Sequence, residues 1–288
     1  MPKNLLRISA AAVLLVALGA AQAQTSAPSF EVASIKPAGS NASRPPGIQV
    51  LPGGKLLITN LPMFMIIAHA YDVPYQSMRM SGGPDWIRSE RYDVEAIAPA
   101  GAIPAGLSSP EIDKLMMVML QNLLATRTKL GVRHESKELP AYAVTVSKTG
   151  LRLLKSQTDE KDCVNVPASP GIACHSFNGG MGRGLHAKAV DMTDLAAFVE
   201  NWSDKPVIDK TGIKGLFEIK TDGWVPMRQM PPHVENPSAP AGVVGEDLSD
   251  QNRPTLFTVF DGMGLKLEAR KLPVNTYVIE SVDRPTAN

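Results

Sequence analysis

SPEIDKLMMVMLQNLLATRTK (residues 109–129), followed by LGVRHESKELPAYAVTV (130–146), decides how the chain is read. The first part is helical by every local criterion. Ser109 is read as its cap, Pro110 as its first helical residue, and Glu111 and Asp113 suit the positive end of the helix dipole. Ile112, Leu115, Met116, Met119, Leu120 and Leu123 fall on one stripe, and Arg127 and Lys129 suit the C-terminal end. The second part turns extended. Tyr142 to Val146 is aromatic and β-branched, and Leu139-Pro140 before it reads as a break inside a hairpin.

The same succession returns later. A helix from about Thr255, with Leu256, Val259, Phe260 and Met263 in register, ends at Gly262 and Gly264. Leu265 to Lys271, Leu272-Pro273 and the strand Thr276 to Ile279 follow it. Upstream of each long stretch lies a short helix. One has Met63, Ile66, Ile67, Ala70 and Tyr71 on one face behind Pro62; the other has Met192, Leu195, Val199 and Trp202, with Phe198 alongside and Asp191 or Thr193 as cap. Residues 30–35, 91–97 and 216–220 alternate with period two and read as strands. The chain is therefore expected to be α+β, built from two similar strand-helix-strand-strand-helix-hairpin units that point to an internal duplication. The expected boundaries are 24–154 and 186–288, with 155–185 as a linker and 223–253, rich in proline, as a long mobile loop.

The N-terminus predicts the compartment. Lys3 and Arg7 precede an apolar run from Ile8 to Ala20 and then Ala21-Gln22-Ala23, the pattern of a signal peptide (1–23) cleaved after Ala23. The run is shorter than the roughly 20 apolar residues a membrane span needs. Removing Lys3 and Arg7 takes the formal charge from +1 to −1. A near-neutral chain with interspersed signs has no footprint for nucleic acid. Export to the periplasm or medium, with no integral membrane segment after cleavage, is the expectation. An oxidising compartment makes Cys163 and Cys174, the only two cysteines, an expected disulfide.

No residue set declares a reaction. The rival use of the cysteines, a metal site with His175 and His186, has the ligand types but not the tight spacing of structural zinc, so no metal or other cofactor is expected. His69 lies on an apolar helix and reads as a core histidine. His134 and Glu135 are neighbours on a strand and point to opposite faces. The glycine cluster 179–184 and Asp209-Lys210-Thr211-Gly212 both read as turns. Trp86, behind Gly82-Gly83-Pro84, has two readings: a tryptophan that pins a turn onto the core, or a stacking platform for a sugar or peptide ligand.

Several motifs carry a resemblance. Phe30-Glu31-Val32-Ala33-Ser34-Ile35-Lys36-Pro37, Gly82-Gly83-Pro84-Asp85-Trp86-Ile87, Tyr92-Asp93-Val94-Glu95-Ala96 and the run His134 to Tyr142 are similar to those of the exported "soil-associated protein" family of unknown function. So are Pro206-Val207-Ile208-Asp209-Lys210-Thr211-Gly212 and the ending Val282-Asp283-Arg284-Pro285. Thr128 stands where that family often has Phe. The resemblance implies export and a shared fold, and brings no catalytic residues. Relatives that fuse a similar domain to a membrane sensor-peptidase imply an extracytoplasmic binding or sensing role, with an envelope protein or an extracellular ligand as partner. The alternative is an exported hydrolase whose site assembles from residues distant in sequence.

Overall fold

The computed structural model describes residues 27–39, 45–165, 171–225, 227 and 253–286. Residues 1–23, expected to be a signal peptide, and most of residues 223–253, expected to be a mobile loop, lie outside them. The described residues form a mixed α+β structure of three four-stranded sheets and five helices.

The first sheet runs in the order β1 (Val32–Pro37), β5 (Arg91–Ile97), β3 (Lys55–Pro62), β2 (Gly47–Leu51), antiparallel throughout. Its buried side packs α1 (Met63–Ala70) and α3 (Ser109–Thr128). Ile58, Ile66, Ile67, Val94, Met119 and Leu120 meet there, all nearly fully buried. The start of α3 differs from the sequence reading by one residue. Ser108 is the cap, its N–H and hydroxyl both donating to the Glu111 carboxylate at 2.8 Å. Thr128 is buried, and its hydroxyl donates to the Leu124 carbonyl one turn back. A buried hydroxyl is thereby satisfied where an aromatic ring would need none.

The third sheet runs β7 (Leu154–Lys155), β11 (Phe217–Lys220), β9 (Gly184–Val190), β8 (Asn178–Gly180). Residues 155–185, expected as a linker, thus supply all of β8 and end residues of β7 and β9. The glycine cluster forms the turn of the β8–β9 hairpin. This sheet packs α4 (Met192–Glu200) and α5 (Leu256–Gly262) around Trp224, Leu195, Val199 and Phe260.

Between these lies the sheet that joins them, in the order β10 (Val207–Asp209), β6 (Gly131–Val146), β12 (Leu265–Ser281), β4 (Met80–Gly82). Here the sequence reading is corrected. Leu139-Pro140 and Leu272-Pro273 do not break hairpins; each sits inside one long strand, and Leu139 pairs with Leu272 near the middle of the ladder. The reason is the direction each proline nitrogen faces. Tyr142 donates its N–H to Pro206 O on the β10 side, so the Pro140 nitrogen, two residues back, also points away from β12. Tyr277 donates to Arg79 O on the β4 side, and Pro273, four residues back, faces outward likewise. Neither proline removes a bond of the β6–β12 ladder, which is the condition under which a strand tolerates one.

The ladder belongs to both cores. Leu130, Ile279 and Val282 pack with the first sheet, whereas Tyr142, Val144, Leu265 and Leu267 pack with the third. One buried ion pair also crosses between them. Glu200, 1% exposed at the end of α4, accepts from Arg79 Nε at 2.7 Å, from the Ser77 hydroxyl, and from Val207 N–H at 2.9 Å. No described helix is long and apolar enough to cross a membrane.

Candidate functional site

The densest cluster of chemistry among the described residues lies where the disulfide meets α4. Cys163, in a 3-10 turn at Glu160–Asn165, is bonded to Cys174, with the two Cα atoms 5.6 Å apart. The cystine rules out the metal-site alternative in the form its residues suggested, because bonded sulfurs offer no thiolate. His175 follows directly, with a left-handed φ of 56° and its N–H on Ala189 O at 2.8 Å. This backbone state is uncommon for residues other than glycine, and it turns the ring onto the start of α4.

The imidazole is held at both nitrogens, Nδ1 at 2.7 Å from Asp194 Oδ2 and Nε2 at 3.1 Å from Glu160 Oε1. Asp194 serves a second purpose, accepting from Asp191 N–H at 2.8 Å, while Asp191 accepts from Asp194 N–H at 2.8 Å. That reciprocal pair is a capping box on α4. The hydrogen bond to Asp194 raises the His175 pKa, reinforced by the Asp194 and Glu160 charges against partial burial, to about 9. Burial, and then repulsion from Asp194, raises the Asp191 pKa. His175 with Asp191 and Asp194 is a set of ligand types within 4.8 Å of one another. A protonated imidazole is a donor at both nitrogens, and in this state it binds the two carboxylates beside it.

This pair predicts a pH dependence. The folded-state pKa is raised above the ordinary value of about 6.5, so its stabilisation is complete below that pH and is lost as pH rises through about 9. Unfolding by urea at about pH 6 and about pH 9.5 should show the wild type losing roughly 2 kcal/mol more than His175→Gln between the two conditions. Equal losses would mean that folding leaves the imidazole pKa unshifted.

From His175 the chain runs alongside α4. Phe177 stacks on Phe198, centroids 4.4 Å apart. Phe198 meets Trp202 edge-on at 5.1 Å, and Trp202 meets Trp224 at 5.8 Å. Gly180 fits against the Trp202 indole, where an added Cβ would lie 2.9 Å from the ring. Residues 175, 177 and 180 therefore stand against 194, 198 and 202, one partner per helical turn. Phe177, Phe198 and Trp202 keep part of their surface in solvent, while Trp224 is fully buried with no partner for its indole N–H among the described residues. The spacing of Asp194, Phe198 and Trp202 is legible in the sequence. The segment that faces them is brought there by the disulfide and the β8–β9 pairing.

The other residues singled out by sequence lie apart. Trp86 sits on α2 (Trp86–Ser89), half-buried on the first core, edge-on to Tyr92 at 6.3 Å. The Arg284 guanidinium lies over the Trp86 ring at 4.9 Å and is held by Glu90. His69 is on α1, where burial lowers its pKa against the charge of Asp72. His134 is exposed, its ring 5.0 Å from Tyr277. Asp209 accepts from Thr211 N–H at 2.8 Å and Thr211 Oγ1 at 2.7 Å, a turn closed on itself. His186 Nε2 lies 3.2 Å from the Arg183 carbonyl.

A family model described as a protein of unknown function, DUF3738, matches residues 65–282, from α1 to the end of β12. No curated protein and no solved structure matches the chain.

Proposed function

Since the chain belongs to the DUF3738 family, whose function is unknown, we propose from its geometry and sequence that it is an exported binding module made of two copies of one unit. Export follows from the signal pattern at residues 1–23 and accords with the Cys163–Cys174 disulfide. The duplication is supported by sheet order: β1-β5-β3-β2 in one part, β7-β11-β9-β8 in the other, each followed by a helix and one long strand. The binding surface is the α4 face, and the observation that carries it is the row Phe177, Phe198 and Trp202 beside a carboxylate cluster, braced by a disulfide. Half-exposed aromatic rings joined to fixed charges suit recognition of a ligand with an apolar body and a polar end. Its partner is an envelope protein or an extracellular ligand. Trp86, its ring face occupied by Arg284, serves as a secondary platform only if that cation moves away. No metal or cofactor enters this reading.

The test is retention of an envelope fraction on immobilised mature protein, wild type against Phe198→Ser, with thermal melting as the control for folding. One species held by the wild type and lost by the folded variant is the expected result. Equal retention by both removes the α4 face as the site.

A further inference from the structure

We propose that the surface between residues 27–146 and residues 154–286 can be shared by two chains, so that the protein forms a closed dimer by exchanging its C-terminal part with a second copy. The pairing across this surface is reciprocal. β4 of the first part lies parallel on β12 of the second, and β10 of the second lies parallel on β6 of the first. The two long strands pair antiparallel along nearly their whole length. Each core is completed by the other part: Ile279 and Val282 enter the first, Tyr142 and Val144 the second. The buried contact of Glu200 with Arg79 crosses the same boundary. Exchange of identical parts between two copies reproduces every one of these contacts twice and closes with two-fold symmetry. A foreign chain lacks the matching long strand, which commits the proposal to a second copy.

Among the described residues, nothing covalent but the connector of residues 147–153 crosses between the parts, because the disulfide lies wholly within the second. The connector closes on its own molecule by a turn. Gly150 N–H donates to Ser147 O at 2.9 Å, and Ser147 and Arg152 N–H donate to Gly264 O and Met263 O, both at 2.9 Å. Seven residues reach roughly 23 Å when extended, far enough to enter an adjacent copy. Removing the turn takes away the path back into the same molecule and leaves exchange as the way to satisfy both cores.

The experiment is deletion of residues 148–150 from the mature chain, read by light scattering and near-ultraviolet circular dichroism. A dimer with the wild-type spectrum is expected, and a monomer with that spectrum overturns the proposal. Should the deletion variant not fold, wild-type protein refolded at increasing concentration with its disulfide intact decides instead. Chains carrying Gln76→Cys and chains carrying Asn201→Cys, refolded together, should form an interchain cross-link, since Gln76 N–H lies 3.4 Å from Asn201 Oδ1 across the boundary. No dimer at any concentration, or a dimer without that cross-link, overturns the exchange. Neither result depends on the α4 face binding a ligand, so this proposal and the binding reading fail separately.

Discussion

Replacing Glu200 with alanine is expected to destabilise the protein by about 3–5 kcal/mol, the cost of removing one partner from a buried ion pair. The carboxylate is almost wholly enclosed and serves three donors at once: the Arg79 guanidinium, the Ser77 hydroxyl and Val207 N–H. Its loss leaves a guanidinium only partly open to water with no counter-charge, and a backbone N–H with no acceptor, at the start of β10. For a chain of this length, each kcal/mol corresponds to roughly 2–4 °C in the melting midpoint, so a fall of about 10 °C should be seen. Glu200→Gln keeps the shape and two acceptor directions and should cost less. A wild-type midpoint for Glu200→Ala would show that the ion pair adds nothing to what strand pairing and core packing between the parts supply.

The second large effect belongs to the disulfide. Cys163→Ala with Cys174→Ala should lower stability by about 3 kcal/mol, the loop-closure contribution for a bridge between residues 11 apart. The consequence reaches beyond that loop. The bridge brings the turn at Glu160–Asn165 to His175, and Glu160 is one of the two carboxylates on the imidazole. Without it, Glu160 is no longer presented to Nε2, and the stability lost by the wild type between about pH 6 and about pH 9.5 should shrink in the variant. Equilibrium unfolding of both proteins at the two pH values measures each effect. A variant as stable as the wild type would mean that the hairpin and α4 position the segment unaided.

Much of the fold was legible because it is decided locally. The stripe from Ile112 to Leu123, the alternation of residues 91–97 and the apolar faces behind Pro62 and Asp191 became α3, β5, α1 and α4. The periods of 3.6 and 2 are properties of the chain itself, and burial of one face needs no knowledge of what covers it. The β2–β3 hairpin escaped notice because its alternation is weak: Leu56, Leu57 and Ile58 are apolar on both faces, and the turn at Gly53 and Gly54 was the only strong signal.

Sequence by itself determined the α+β class, four of the five described helices (α2, Trp86–Ser89, was read as a turn), the cysteines that pair and the turns at 179–184 and 209–212. Tertiary structure alone decided three things. The Leu-Pro pairs continue strands, because whether a proline breaks a ladder depends on which side its nitrogen faces, and that is set by neighbours more than 60 residues away at 206 or nearly 200 away at 79. Glu200 became the buried link between the parts, since a carboxylate in a helix is exposed or enclosed according to whether an arginine arrives from another element. His175 came to lie between two carboxylates because the bridge from its neighbour Cys174 back to Cys163 and the capping box of Asp191 and Asp194 converge on its ring. Local periodicity acts over a few residues; charge pairing and strand direction are settled only when remote segments meet.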